Sequence, residues 1–98
     1  MKQITFHQDA RADLLESAHY YETRIQGLGQ IFMDDVEDAL AEIQQNPQAY
    51  TLVSAELRRK IIHRFPFGLL YVVESDRIRI IAVAHFKRRP EYWRNRLS

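Results

Sequence analysis

The sequence predicts an α+β fold, and three features of it do so. Two stretches carry apolar residues at helical spacing and are joined by a short glycine-containing link. Three β-leaning segments follow, separated by two turn signals, and one more alternating segment stands at the N-terminus. The order strand, helix, helix, three strands reads as an N-terminal strand and an antiparallel helix hairpin packed on an antiparallel three- to four-stranded sheet, with a short C-terminal helix or tail. With 98 residues and 46% hydrophobic content, the chain suits one modest core, and residues 1–98 are expected to form a single domain.

Each element has its own justification. In "KQITFH", Ile4 and Phe6 alternate with Gln3, Thr5 and His7, the period of a half-buried strand. Asp9 then offers an N-cap to a helix over 9–26. Leu14, Ala18, Tyr21 and Ile25 form the apolar stripe of that helix, with Arg11, Asp13, Glu16 and Glu22 on its other face. "GLG" at 27–29 ends it.

A second helix is expected over 30–45, with Phe32, Val36, Ala39, Leu40 and Ile43 facing inward. Asp34, Asp35, Glu37, Asp38 and Glu42 fall mostly on its solvated side, and Asn46-Pro47 stops it. Residues 47–56 read as a polar loop. Strands are then expected over 57–65, 67–74 and 77–85, with turns at Pro66 and Ser75-Asp76.

The net charge of +1 conceals a division. Residues 1–56 hold 3 Lys/Arg against 10 Asp/Glu, and residues 57–98 hold 11 against 3. Halves of −7 and +8 point to an interaction surface for an anionic partner such as nucleic acid or an acidic protein segment. Other function classes are excluded by what the composition lacks. There is no Cys, so no disulfide, thiolate metal site or thiol nucleophile. His7, His19, His63 and His85 show no metal-ligand spacing, so no metal is expected. Only 3 Gly are present and no G-x-S-x-G or phosphate loop, so no cofactor is expected either. No leader or membrane-crossing stretch is visible, and the expected location is the cytoplasm, with no membrane partner.

The basic half carries the functional candidates. Arg58, Arg59 and Lys60 open one strand and Arg64 closes it. His85, Lys87, Arg88 and Arg89 follow the last strand, with Tyr92, Trp93, Arg94 and Arg96 beyond. The start of the 57–65 strand and the end of the last strand are expected at one end of the sheet, which would bring these cations together. Arg59, Arg64, Lys87, Arg88, Arg89, Trp93 and Arg94 are the candidate target-binding residues: the cations for phosphates, Trp93 with Tyr92 for stacking on unpaired bases.

If the surface also cleaved RNA, a general base, a general acid and stabilising cations would be needed around the attacking 2′-hydroxyl. His85, Arg88 and Tyr92 are the candidate catalytic residues for that case only, His85 as the side-chain type best suited to proton transfer and Arg88 as the charge stabiliser. A bland alternative stays open: a terminal helix "PEYWRNR" packs its aromatics on the sheet and leaves its arginines in water.

The succession "DLLESAHYYE", "NPQAY" and "RRKIIHRFPFGLLYVVESDRIRIIAVAHFKRRPEYW" resembles the RelE/ParE family of toxins from type II toxin–antitoxin (plasmid stabilisation) modules, over about residues 2–96. The resemblance implies a small toxin that arrests bacterial growth and is neutralised by a cognate antitoxin. It leaves two targets: DNA gyrase for ParE-like members, which are not enzymes, and ribosome-bound mRNA for RelE-like endoribonucleases. A non-toxic binding or regulatory relative is a third possibility.

Carried over by resemblance, the strand lysines of the nucleases correspond to Arg59 and Ile61, and an arginine at the start of the next strand falls at or near Gly68. Their C-terminal tyrosine corresponds to Tyr92, and a nearby arginine to Phe86, or to Arg88 if the loop shifts. His85 resembles a histidine that some relatives place near the end of the last strand. Cations missing at Ile61 and Gly68 remove transition-state stabilisation, which tips the expectation toward gyrase.

Overall fold

A computed structural model of the chain describes residues 1–97. The elements are β1 (Gln3–Phe6), α1 (Gln8–Arg24), α2 (Leu28–Gln45), β2 (Thr51–Ser54), β3 (Leu57–Ile61), β4 (Phe67–Val73), β5 (Arg77–His85) and a 3-10 turn (Arg94–Leu97). The expected class holds: a helix pair lies on one face of a sheet whose middle strands form an antiparallel meander. The sheet is larger than expected and mixed, with five strands in the order β1-β5-β4-β3-β2. β1 runs parallel to β5, pairing Gln3 with Arg77 through Phe6 with Ile80.

The fifth strand, β2, lies in the segment expected to be loop. "TLVS" has no buried face, since all four residues are exposed, so no amphipathic signal marks it. It is a strand because β3 presents a free edge beside it, with Thr51 opposite Arg59 and Leu52 opposite Arg58.

The helix boundaries shift for local reasons. The His7 backbone N–H donates to Ile80 O, and the His7 imidazole Nδ1 accepts from the Asp9 N–H at 3.0 Å, so His7 rather than Asp9 caps α1. Ile25 lies past the helix end with an extended backbone, φ −143°, and leaves the expected stripe for solvent. α2 starts two residues early, because Gly27 adopts φ 89° and the Glu22 carboxylate accepts from the N–H groups of Gly27 and Gly29, each at 2.9 Å. Those two bonds, Gly27 first, hold the Glu22 carboxyl below its usual range. Glu22 is therefore the anion at the start of α2 rather than a spectator on a wet face.

The main core joins Ala10 and Leu14 of α1 and Phe32, Val36, Ala39 and Ile43 of α2 to Leu69, Tyr71, Ile78, Ile80 and Val83 of the sheet. Phe32 stands against Tyr21, Phe65 and Phe67 with ring centroids 5.0 to 5.4 Å apart. Phe65 reaches that cluster because β3 ends at Ile61, four residues before the expected boundary. The chain turns there around Asp35, which accepts from the Arg64 N–H at 2.8 Å and from Arg64 Nε at 3.4 Å. Asp35 is thus buried, contrary to its expected place on the solvated side of α2.

β4 is buried on both faces, which is why "FGLLYVV" shows no alternation. β5 changes face partway along. Tyr71 pairs with Ile80 and Leu70 with Ala82, so Ile81 is an extra residue, a β-bulge. Ile78, Ile80 and Val83 point to the helices, while Ile81 and Ala82 join Leu57, Leu70 and Val72 in a second cluster on the outer face, against which Tyr92 and Trp93 pack.

The helices approach closely at Gly29, where an added Cβ would stand 2.7 Å from Ala18 O and 2.9 Å from Glu22 Oε1. The Gly29→Ala variant is expected to lose about 1–3 kcal/mol of stability through forced separation of α1 and α2, read as a lower midpoint in urea unfolding.

Candidate functional site

The outer face of the sheet carries a groove of about 420 Å³. Its floor is Gly68, Leu70 and Ala84, with Val53 of the edge strand on one side and the segment from Arg88 to Trp93 on the other. The wall exists because the chain reverses after β5. Phe86 N–H donates to Pro66 O and Arg88 N–H to His85 O, and Glu91 takes a left-handed backbone, φ 61°. That conformation costs a non-glycine residue about 1–2 kcal/mol, so contacts elsewhere must hold it.

Those contacts converge on Asp13 of α1. Beyond Ile80 the strand β1 has ended and the edge of β5 has no partner strand. The Asp13 carboxylate accepts from the Val83 N–H at 3.1 Å and from the Tyr92 hydroxyl at 3.2 Å. Arg96 donates to both of its oxygens, at 2.7 and 3.3 Å, and to Ile81 O at 3.1 Å. The Asp13 and Arg96 side chains are only 9% and 10% exposed, so this is a buried, bidentate pair. Both residues were expected in solvent. Asp13 lies three residues after the buried Ala10, on the flank of the stripe, and that spacing is the signal that could have found it.

Tyr92 carries the linkage outward. Its ring lies 4.9 Å from the Arg96 guanidinium and 4.0 Å from that of Arg88. Burial first, then the neighbouring Asp13 charge, pushes its phenol up to about 12. The hydroxyl is a committed donor, and no phenolate forms near neutral pH.

The candidate residues divide. Arg59, His85, Arg88, Arg89, Tyr92 and Trp93 line the groove. Arg64, Lys87 and Arg94 do not: Arg64 pairs with Asp35, Lys87 stands exposed in the turn after β5, and Arg94 pairs with Glu91. His85 sits at the groove end with its ring edge-on to Phe67 at 5.0 Å, and its Nδ1 accepts from the Lys87 N–H at 2.9 Å.

The cations do not meet for the expected reason. β3 and β5 run in the same direction, so the start of β3 lies at the opposite end of the sheet from His85. Arg59 reaches the groove because its side chain crosses Gly68, where an added Cβ would stand 3.0 Å from Arg59 Cγ and 3.2 Å from Cδ. Gly68 lacks a cation of its own, and its missing side chain is the space through which Arg59 passes. Arg58 and Lys60 point to the other face, Arg58 to Tyr50 O at 2.7 Å and Lys60 to Glu42 at 3.5 Å. Among the described residues, no cluster of His, Asp or Glu is grouped to hold a metal ion, and no helix is long and apolar enough to cross a membrane.

A family model described as the ParE toxin of the type II toxin–antitoxin system, parDE, matches residues 4–90. The chain belongs to the ParE toxin family. Among solved structures, the chromosomal ParDE TA system from P. aeruginosa contains a chain that aligns with a TM-score of 0.63 at 18% identity, covering 87% of this chain and 96% of that one. At that identity the likeness shows the shared fold. No curated protein matches the chain. Residues 4–90 take in the helix pair, the sheet from Ile4 onward and all three groove arginines of this ParE-family toxin, while Tyr92, Trp93 and Arg96 lie beyond them.

A raised phenol makes a signed prediction. The Tyr92 proton is held more tightly in the folded chain than at the ordinary value of 10.0, so its stabilisation is complete below pH 10 and is lost as pH rises toward about 12. Tyr71, whose hydroxyl donates to Pro47 O at 2.7 Å and whose phenol burial also pushes up to about 12, adds to the same decline. Unfolding free energy measured in urea between pH 9 and 12 is expected to fall, and the Tyr92→Phe variant is expected to show a shallower fall.

Proposed function

We propose that this ParE-family toxin arrests bacterial growth in the cytoplasm by inhibiting DNA gyrase, without cutting RNA, and that a cognate antitoxin neutralises it by covering the basic groove. One observation carries the choice of target: the hydroxyl of Tyr92, the residue that a RelE-like nuclease would use, donates to the buried Asp13 carboxylate. A phenol so held, with its pKa pushed up to about 12, is a poor proton-transfer group at neutral pH. Gly68 and Ile61 add no cation to the groove, so the stabilisation of an extra phosphoryl charge would fall to Arg59, Arg88 and Arg89.

The groove suits a protein partner of acidic and apolar character. Leu70, Ala84 and Trp93 supply an apolar lining and Arg59, Arg88 and Arg89 a cationic rim. Complementary charge of that kind speeds association and weakens with salt.

The second reading, a ribosome-dependent endoribonuclease, draws on the fact that His85 and Arg88 both line this groove. The two readings separate in one experiment. After brief induction without antitoxin, the gyrase reading expects inhibited supercoiling or gyrase-linked DNA breaks with mRNA intact, and His85→Ala still toxic. Cleaved ribosome-bound mRNA, abolished by both His85→Ala and Arg88→Ala, would transfer the assignment to the nuclease. Unimpaired growth on induction would discard both in favour of a non-toxic binding relative.

A further inference from the structure

Asp13 lies on α1 and does not line the groove, yet the groove wall traces back to it. The Tyr92 hydroxyl and the Arg96 guanidinium both reach its carboxylate; the hydroxyl also stands 3.5 Å from Val83 O, and Arg96 also donates to Ile81 O and lies 3.9 Å from the Asp9 carboxylate. The Tyr92 ring in turn lies 4.0 Å from the Arg88 guanidinium. Backbone bonds within the wall are local, from Tyr92 to Arg89, Arg94 to Glu91 and Arg96 to Trp93, and so shape the segment without attaching it to the sheet. The positive φ at Glu91 works against this shape. A buried ion pair is little screened by salt, and removing one partner leaves the other charge uncompensated.

We infer that Asp13 is a positioning residue for the groove: by holding Arg96 and the Tyr92 hydroxyl, its carboxylate sets the Arg88 guanidinium and the Trp93 ring in the wall that a partner meets. The inference rests on the reading of the groove as the partner-facing surface of the toxin. It makes the reach of the basic face depend on an acidic residue of the opposite, helical half. Asp13 also closes the edge of β5 through Val83, so the two tasks need separate variants.

Arg96→Gln removes the guanidinium while leaving Asp13 bonded to the Val83 N–H, and Asp13→Asn removes the charge at the other end. Trp93 is the sole tryptophan of the chain, so its fluorescence reports the wall directly. For the full-length variants, acrylamide quenching of Trp93 and tryptic cleavage after Arg88 are read below each thermal midpoint, and growth arrest is read on induction. Both single variants are expected to show severalfold faster quenching and cleavage and to lose growth arrest. The double variant Asp13→Asn with Arg96→Gln is expected to regain thermal stability, because no buried charge is left unpaired, but to keep the fast quenching and cleavage, because the bonds that hold the wall are still missing.

Unchanged quenching in folded Arg96→Gln would overturn the inference, as would full growth arrest by a variant whose wall is released. If the unmodified chain itself fails to arrest growth, the functional reading falls. The quenching and cleavage arms then still decide whether Asp13 holds the wall.

Discussion

The buried pair between Asp13 and Arg96 closes the sheet edge that the short strand β1 leaves open, and the outer face is arranged around that closure. β1 has four residues and β5 nine, so β5 extends past its parallel partner with unpaired backbone groups. An open edge must find other hydrogen bonds or water. Here a helix carboxylate takes the Val83 N–H and a C-terminal guanidinium takes Ile81 O. Because those two side chains also bind each other, the same interaction that finishes the sheet draws the C-terminal segment across it. The bulge at Ile81 is the third part, since it turns Ile81 and Ala82 outward to form the surface on which Tyr92 and Trp93 rest.

The large charge imbalance between the two halves has a quieter meaning in three dimensions than along the chain. Much of the positive charge of the second half is used inside the fold. Arg58 holds the loop carbonyls of Gln48 and Tyr50, Lys60 meets Glu42, Arg64 meets Asp35, and Arg77 and Arg79 share Glu74. The Glu74 carboxyl is held below its usual range by hydrogen bonds from Arg77 and then Arg79. What remains along the groove is Arg59, Arg88 and Arg89, a cationic rim on an apolar floor. Three placed guanidinium groups on an apolar floor offer a narrower chemistry than a polycation does.

The fold was legible in the sequence where one element's pattern records its own environment. Helical stripes, the tight turn at Ser75-Asp76 and the unbroken apolar run of β4 all followed from local burial, and the family resemblance drew on the same segments. Partners far away in sequence left weaker marks. β2 shows no buried face, β1 gives no sign of a parallel partner more than 70 residues on, and the bulge at Ile81 resembles any apolar run. The candidate site was half legible. Arg59, His85, Arg88, Arg89, Tyr92 and Trp93 do share one groove, but Arg64, Lys87 and Arg94 stand outside it. Asp13 and Arg96, which hold its wall, read as two more surface charges 83 residues apart.

By itself, then, the sequence determined the α+β class, the order of most elements, the toxin family pattern and the set of cations from which a binding surface could be drawn. Periodicity and composition suffice for these, because each residue's burial is repeated every turn or every second residue. Only the tertiary structure decided which charges are spent on one another and which face outward. That choice depends on strand direction, on the single extra residue in β5 and on distances between segments the chain brings together late. No local pattern encodes those, and they are what make Asp13 a core carboxylate and Gly68 the passage for Arg59.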